Sequence, residues 1–362
     1  MKFVCSKCGS KEDVSTRKHV CQCGGLWDLE YTPPKYNQKL INDRAWGMLR
    51  YASFMPLEER ILKQITLGEG MTPIVSLDEH VLLKMDYMMP TLSFKDRGAA
   101  VVMGHCLSIN VESVVQDSSG NAGNSMAAYA AKAGITCEIF VPEGTSPKKI
   151  KMIESHRGKV NVVKGSRDDC ADVCRQNVID KKTYYASHVY NPFFYEGTKT
   201  YIYEVYEQLG RIPEMLFVPV GNGTLFLGIV KGLEELLSSG VIDGMPKIIA
   251  VQSEKCCPIY EAYRNNHEIT KYSAEKTFAE GIAIGLPMRG DTILDYIKRY
   301  GMAVILAPED KILEARERLS NQGIYVEHTT AAIYAAYLEY TKKHKQTECL
   351  ISMCGAGIKS DH

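Results

Sequence analysis

From residue 81 to the end of the chain, short apolar runs alternate with longer stretches of helical spacing, and this alternation constrains the fold more than any other feature. The runs cover 81–85, 113–116, 137–141, 160–164, 184–186, 216–220, 247–252, 304–307 and 350–353. Helical stretches begin at Lys95, Asn121, Ser146, Asp168, Glu196 and Thr224, and two more follow residue 307. Buried strands joined by crossover helices form parallel sheets covered on both faces. The expected class is therefore α/β, with its chemistry in the loops that leave the carboxyl ends of the strands. At 362 residues the chain suits roughly two domains plus a small module.

Charge and cysteine usage narrow the function. Acidic and basic residues balance at 43 each, so no field for nucleic acid or an anionic membrane is expected. No apolar window reaches the length of about 18 residues needed to span a bilayer, and the N-terminus lacks the apolar core of a signal peptide. A soluble, cytoplasmic protein is expected. Most of the twelve cysteines are scattered through apolar or helical segments and stay thiols in a reducing compartment.

Four cysteines are clustered instead. Cys5-x2-Cys8 and Cys21-x-Cys23 are separated by twelve residues and followed by Gly9, Gly24 and Gly25. Such spacing lets four thiolates converge tetrahedrally on Zn²⁺, and a piece of about 30 residues cannot fold on its own apolar core. Residues 1–30 read as a zinc ribbon, with four unliganded thiols in a loop as the alternative and His19 as a substitute for one thiolate. Four protein ligands leave no open position, so the metal would be structural.

The segment Pro90-Thr91-Leu92-Ser93-Phe94-Lys95-Asp96-Arg97-Gly98 follows a strand and opens a helix. Taken alone, its charges are either an ordinary first turn or a partly buried amine. In the second case a neighbouring cation such as Arg97 lowers the pKa of Lys95 and makes it a nucleophile toward aldehydes. Two strand exits carry glycine-rich turns. Asp117-Ser118-Ser119-Gly120-Asn121-Ala122-Gly123 is either a simple N-cap or a carboxylate grip made of helix N–H groups. Gly221-Asn222-Gly223-Thr224-Leu225 would cradle a phosphate on backbone amides, although it is neither a Walker A loop nor GxGxxG. Cys354, ending the last apolar run, is core filler or a site residue.

PTLSFKDRG resembles the lysine segment of threonine synthase and its relatives, the tryptophan-synthase-β-like (fold type II) enzymes that use pyridoxal 5'-phosphate (PLP). The usual wording has glycine where Leu92 stands. The C-x-C-G-G ribbon, Leu67-Gly68-Glu69-Gly70-Met71-Thr72-Pro73, SSGN, the glycine turn and the terminal Met353-Cys354-Gly355-Ala356-Gly357-Ile358-Lys359 are similar to that family in the same order. The resemblance implies two doubly wound parallel-sheet domains with PLP in the cleft. It divides the chain into ribbon 1–30, a large PLP-binding domain 31–102 and 200–362, and a smaller mobile α/β domain 103–199.

By the same resemblance Lys95 binds PLP and moves protons, and Asn121 bonds the cofactor's 3'-oxygen. Ser118, Ser119 and Ala122 grip the substrate carboxylate. Gly221, Asn222, Gly223, Thr224 and Leu225 hold the PLP phosphate, and Cys354 faces the pyridine nitrogen. Glu196-Gly197-Thr198-Lys199-Thr200 resembles the EGQKT segment, which implies that Lys199, assisted by Thr200, binds the phosphate of O-phosphohomoserine; a solvated helix-start lysine is the other reading. Residues 279–285 are closer to the dehydratase wording, and Glu327-His328 replaces a common Glu-Pro. The implied reaction converts O-phosphohomoserine and water to threonine and phosphate in a homodimer. The alternatives are β-elimination or β-replacement on a serine-, cysteine- or phosphoserine-like amino acid, and a catalytically silent PLP-fold scaffold.

Overall fold

The computed structural model describes residues 1–359. Its strands are β1 (Lys2–Cys5), β2 (Lys11–Glu12), β3 (Trp27–Glu30), β4 (Ile74–Ser76), β5 (Val81–Lys84), β6 (Ser113–Gln116), β7 (Thr136–Pro142), β8 (Lys159–Val163), β9 (Tyr184–Tyr185), β10 (Met215–Pro219), β11 (Lys247–Ser253), β12 (Ala303–Ala307) and β13 (Cys349–Ser352). Its α-helices are α1 (Glu59–Ile65), α2 (Lys95–Ser108), α3 (Asn121–Ala133), α4 (Pro147–Ser155), α5 (Arg167–Lys181), α6 (Phe193–Thr198), α7 (Thr200–Leu209), α8 (Thr224–Ser238), α9 (Pro258–Asn265), α10 (Gly290–Arg299), α11 (Ile312–Ser320) and α12 (His328–Thr341). Helices α9 and α10 are absent from the sequence reading, because each is short and lies in a stretch broken by glycine and proline.

The chain divides into two compact units. A ribbon unit holds Met1–Gly70 and Lys95–Gly197, and a large-sheet unit holds Met71–Phe94 and everything described from Thr198 onward. In the ribbon unit, β2-β1-β3 form a small antiparallel sheet, and β8-β7-β6-β9 form a parallel one. The ribbon has too few apolar residues to close on itself, so it packs onto the unit: Phe3 meets Phe193 and His105 edge-on, with ring centroids 6.0 and 6.1 Å apart. Helix α2 is buried from Asp96 to Cys106, and helices buried on every side read as apolar or small all round. Gly98 is one of its contacts, since a Cβ there would run into the ring of Phe194.

The large-sheet unit orders its strands β12-β11-β10-β13-β5-β4. All pairs are parallel except β4 with β5, so the sheet carries one antiparallel edge strand that the alternation did not reveal. Strands β10 and β13 are buried along their whole length, as central parallel strands must be. Helix α12 covers the sheet with His328 to Tyr337 buried throughout. A buried ion pair lies in this core: Lys84, on β5, places Nζ 2.8 Å from Glu204 on α7 and 2.7 Å from the carbonyl of Thr72. Both side chains of the pair are fully buried.

Candidate active site

In the ribbon unit the chain winds from β6 through β7 to β8 and then returns to place β9 on the other side of β6. The order therefore reverses between β6 and β9, and open α/β sheets bind ligands outside the carboxyl ends of strands at such a reversal. The β6 exit is the Ser118–Asn121 turn. Its helix, α3, is capped by the backbone of Gly120 with no side-chain hydrogen bond, so the first amides of α3 are not closed off by a serine or asparagine cap. Gly123 is required here, because a Cβ would collide with the carbonyl oxygen of Ser118. Ser118 and Ala122 are buried, while Ser119 and Asn121 are half-buried. Tyr185 Oη, at the end of β9, donates to Asp117 Oδ1 at 2.8 Å and ties the root of the turn to the neighbouring strand.

Lys95 is the first residue of α2 and is half-buried, with Nζ 5.5 Å from the centroid of the Phe194 ring. The companion role expected for Arg97 is corrected by the helix. Residues two apart on a helix do not face each other, and Arg97 is fully buried. Asp96, fully buried as well, belongs to a polar cluster with residues of α3. There Ser125 bonds Asp96 and Tyr129 Oη donates to Glu69 at 2.9 Å. Burial raises the pKa of the Glu69 carboxyl and, with the nearby Glu69 charge, that of the Tyr129 phenol.

In the large-sheet unit the order reverses between β10 and β13. The β10 exit is Val220-Gly221-Asn222-Gly223, ending in Gly223 at φ 70°, which caps α8 without a side-chain bond. A Cβ on Gly221 would lie 2.9 Å from Cα of Ile282, so the segment 279–285 closes against this turn. That segment is pinned by Gly281 N–H donating to Thr329 Oγ1 at 3.0 Å. The β13 exit carries Cys354, buried, with Sγ donating to the Ser352 carbonyl at 3.5 Å. Residues 92–94 run alongside it: Phe94 N–H donates to the Cys354 carbonyl and Ala356 N–H to the Leu92 carbonyl, both at 3.0 Å. Lys95 is the next residue of the chain.

Leu92, the departure from the family's glycine, adopts φ 63°. That conformation costs an L-residue about 1–2 kcal/mol, and glycine removes the penalty while losing about 0.5–1 kcal/mol of backbone entropy. Leu92→Gly is accordingly expected to leave the melting temperature unchanged or raise it slightly. Leu92→Val, β-branched at positive φ, is expected to lower it by several degrees, as calorimetry would register.

Lys199 and Thr200 lie elsewhere than expected. Both are fully buried where α7 begins, and Lys199 Nζ is 3.0 Å from Glu235. Tyr203 Oη also bonds Glu235. Glu235 stands eleven residues after Thr224 on α8, about 16 Å along the helix from its N-terminus. A lysine committed to that buried pair does not present its charge to a substrate phosphate, and this corrects the assignment.

Cys5, Cys8, Cys21 and Cys23 converge, all four sulfurs lying within 4.8 Å of one another. Cys5 and Cys23 are 3.4 Å apart and Cys8 and Cys21 are 3.7 Å apart. Tetrahedral zinc bonded to four thiolates separates its sulfurs by about 3.8 Å, so the set can hold that ion. His19 is no part of the cluster: its ring packs edge-on against Tyr185 at 5.3 Å and Tyr190 at 5.7 Å.

The family model described as pyridoxal-phosphate dependent enzyme matches residues 65–355, which spans both strand reversals and Lys95. The chain belongs to that family. This pyridoxal-phosphate dependent enzyme is 34% identical over 347 residues to the threonine synthase of Methanocaldococcus jannaschii, covering 91% of its own length and 85% of the relative. It is 30% identical over 346 residues to the threonine synthase of Methanosarcina acetivorans, covering 91% and 84%. Among solved structures, maize serine racemase superposes with a TM-score of 0.71 at 19% identity, over 82% of this chain and 92% of that one. The processed form of threonine deaminase isoform 2 from Solanum lycopersicum superposes with a TM-score of 0.68 at 21% identity, over 90% and 86%. Those two likenesses describe the fold alone. No helix among the described residues is long and apolar enough to cross a membrane.

The residues present fit the cofactor. The glycine turn that opens α8 is capped by no side chain, and Ser93 Oγ, two residues before Lys95, is buried without a hydrogen-bond partner. The sequence reading missed Ser93, Phe194 and His188 as candidates. Only the last had a signal, as a histidine two residues beyond an expected strand end.

Proposed function

We propose that the protein is a PLP-dependent lyase of the threonine synthase kind, converting O-phosphohomoserine and water to threonine and phosphate. The observation that carries this reading is the likeness to threonine synthases over 91% of the chain, with glycine turns at both strand reversals. Bound PLP supplies an electrophilic electron sink for the amino acid's α-carbon. The first amides of α8, with Gly221, Asn222, Gly223, Thr224 and Leu225, would hold its phosphate, Asn121 would bond its 3'-oxygen and Cys354 would face its pyridine nitrogen. A thiol at the ring nitrogen is a weak, uncharged partner, which favours elimination and replacement over transamination. Ser118, Ser119 and Ala122 hold the substrate carboxylate at the start of α3. The Lys95 amine takes and returns protons at Cα and Cβ while phosphate leaves Cγ and water adds at Cβ.

Burial of Lys199 against Glu235 favours keeping β-elimination or β-replacement on a serine-, cysteine- or phosphoserine-like amino acid as a second reading. Incubating purified, PLP-loaded protein with O-phosphohomoserine and measuring threonine and free phosphate separates the two. Equimolar products support the first reading, and turnover of serine or phosphoserine alone supports the second. Lys199→Ala is expected to lower thermal stability while leaving the KM for a phosphate-bearing substrate within about twofold of wild type, since the lysine's charge is spent inside the core.

The ribbon is proposed to hold one structural zinc per chain, and the protein to act as a cytoplasmic homodimer. Elemental analysis of the purified protein is expected to give one zinc per chain. Chelation, or Cys21→Ser, is expected to make residues 1–30 the first site of limited proteolysis, because the ribbon lacks an apolar core of its own. A zinc-free preparation of unchanged protease resistance would remove the metal from this account.

A further inference from the structure

His328 is the first residue of α12 and is only 7% exposed. It stands where the family's common wording has proline. The backbone would accept proline there, because Glu327 is extended at ψ 159° and the first helical residue needs no N–H. What the histidine adds is its side chain. Arg316, on α11, donates from Nη1 to His328 Nε2 at 2.9 Å, which leaves the imidazole proton on Nδ1. The same guanidinium donates from Nε to the Val326 carbonyl at 3.0 Å and from Nη2 to Tyr325 Oη at 2.8 Å, so three bonds fix its plane and the plane fixes the ring.

The fixed ring meets the segment that walls the glycine turn. Phe278 opens that segment, with its ring centroid 5.5 Å from that of His328 and its N–H donating to Glu309 Oε1 at 2.6 Å. Three residues on, Gly281 is held by Thr329, the neighbour of His328 on α12. Ile282 follows, and its Cα is the atom that a Cβ on Gly221 would approach to 2.9 Å. The start of α12 is itself anchored, since Glu327 N–H donates to the Gly355 carbonyl at 3.0 Å and Gly355 N–H donates to Thr330 Oγ1 at 3.1 Å. One helix start thus sets where residues 278–285 lie behind the turn. Backbone amides grip an anion tightly only when their positions are set beforehand by such supports.

We propose that His328, oriented by Arg316, is a positioning residue for the cofactor's phosphate: it clamps residues 278–285 behind Gly221 and so presets the turn that receives the phosphate. This rests on the placement of that phosphate at Gly221 to Leu225 in the reading above. His328 touches neither cofactor nor substrate, and its effect is on how tightly the phosphate end is held.

The test titrates the full-length protein, stripped of cofactor, with PLP and with pyridoxal, which lacks the phosphate, each followed by visible absorption. His328→Leu is expected to weaken PLP about fivefold, the size of one lost hydrogen bond, and to leave pyridoxal within about twofold, because only the phosphate end is loosened. His328→Gln, whose amide oxygen accepts in place of Nε2, is expected to bind PLP within about twofold of wild type. Hydrogen exchange in the cofactor-free chain gives the matching readout: residues 278–285 exchange faster in His328→Leu and at the wild-type rate in His328→Gln. Equal weakening of PLP and pyridoxal, unchanged PLP affinity in His328→Leu, or unchanged exchange across 278–285 overturns the proposal. Gly221→Ala, whose methyl would press on Ile282, keeps the two readings apart. PLP weakened by Gly221→Ala but not by His328→Leu removes the clamp and keeps the phosphate site, whereas PLP weakened by neither removes both.

Discussion

Replacement of Lys95 by alanine is expected to abolish the visible absorption of the purified protein and to lower turnover by about 10³-fold or more. Positioned acid–base groups contribute about 10²–10⁴-fold, and this amine would also anchor the cofactor covalently. The structure gives reasons for the size of the effect. Lys95 opens α2 directly after Phe94, whose amide is held by the Cys354 carbonyl at 3.0 Å, and its helix is buried from the next residue onward. An amine so fixed at its base cannot be replaced by a neighbour, since Asp96 and Arg97 are both fully buried away from solvent. A spectrum and a rate measured on Lys95→Ala check this. Retention of both would show that Lys95 is an ordinary first-turn charge and that the chemistry lies elsewhere.

Lys84→Met is expected to destabilise the protein by about 3–5 kcal/mol, the cost typical of stranding one member of a buried ion pair. Glu204 would be left with its charge in a core where neither partner has any solvent exposure. The Thr72 carbonyl, which accepts from Lys84 Nζ at 2.7 Å, would keep its bond from Gln208 Nε2 at 3.0 Å, so the loss falls chiefly on the carboxylate. The double change Lys84→Met with Glu204→Leu should recover much of the stability, because replacing both charges with packed apolar groups is often neutral. Urea denaturation of the two single variants and the double variant measures the coupling. Additive losses would mean that the pair contributes nothing as a pair.

The parts of the site that were legible in the sequence are those whose chemistry is local. A glycine turn before a helix has its anion-binding character in the backbone of four or five consecutive residues, so Gly221 to Leu225 and Ser118 to Asn121 stood out before any fold was known. The cysteine ribbon was legible for a similar reason: two short knuckles bring four sulfurs together through antiparallel pairing of β1 with β2 and β3. Lys199 misled because the same string of residues serves two environments. At a helix start it is a free cation, whereas the packing of α7 on α8 brings it to Glu235 and closes it off. Gly228 and Gly232 permit that approach, since a Cβ on either would collide with Thr198 or Ile202. Leu92 was visible as a departure, but its φ of 63° was not.

By itself, then, the amino-acid sequence determined the α/β class, the two glycine turns at strand exits and the clustering of four cysteines, because periodicity and turn chemistry act over a few neighbouring residues, while the PLP family was legible through its motifs in order. The tertiary structure alone decided which strand exits stand together. Placing β9 beside β6 and β13 beside β10 pairs residues about 70 and about 130 positions apart, and register over such distances is set by the burial of whole sheets rather than by any local preference. That long-range pairing sets the loop carrying His188 beside the Ser118–Asn121 turn, and the β13 exit carrying Cys354 beside the β10 exit.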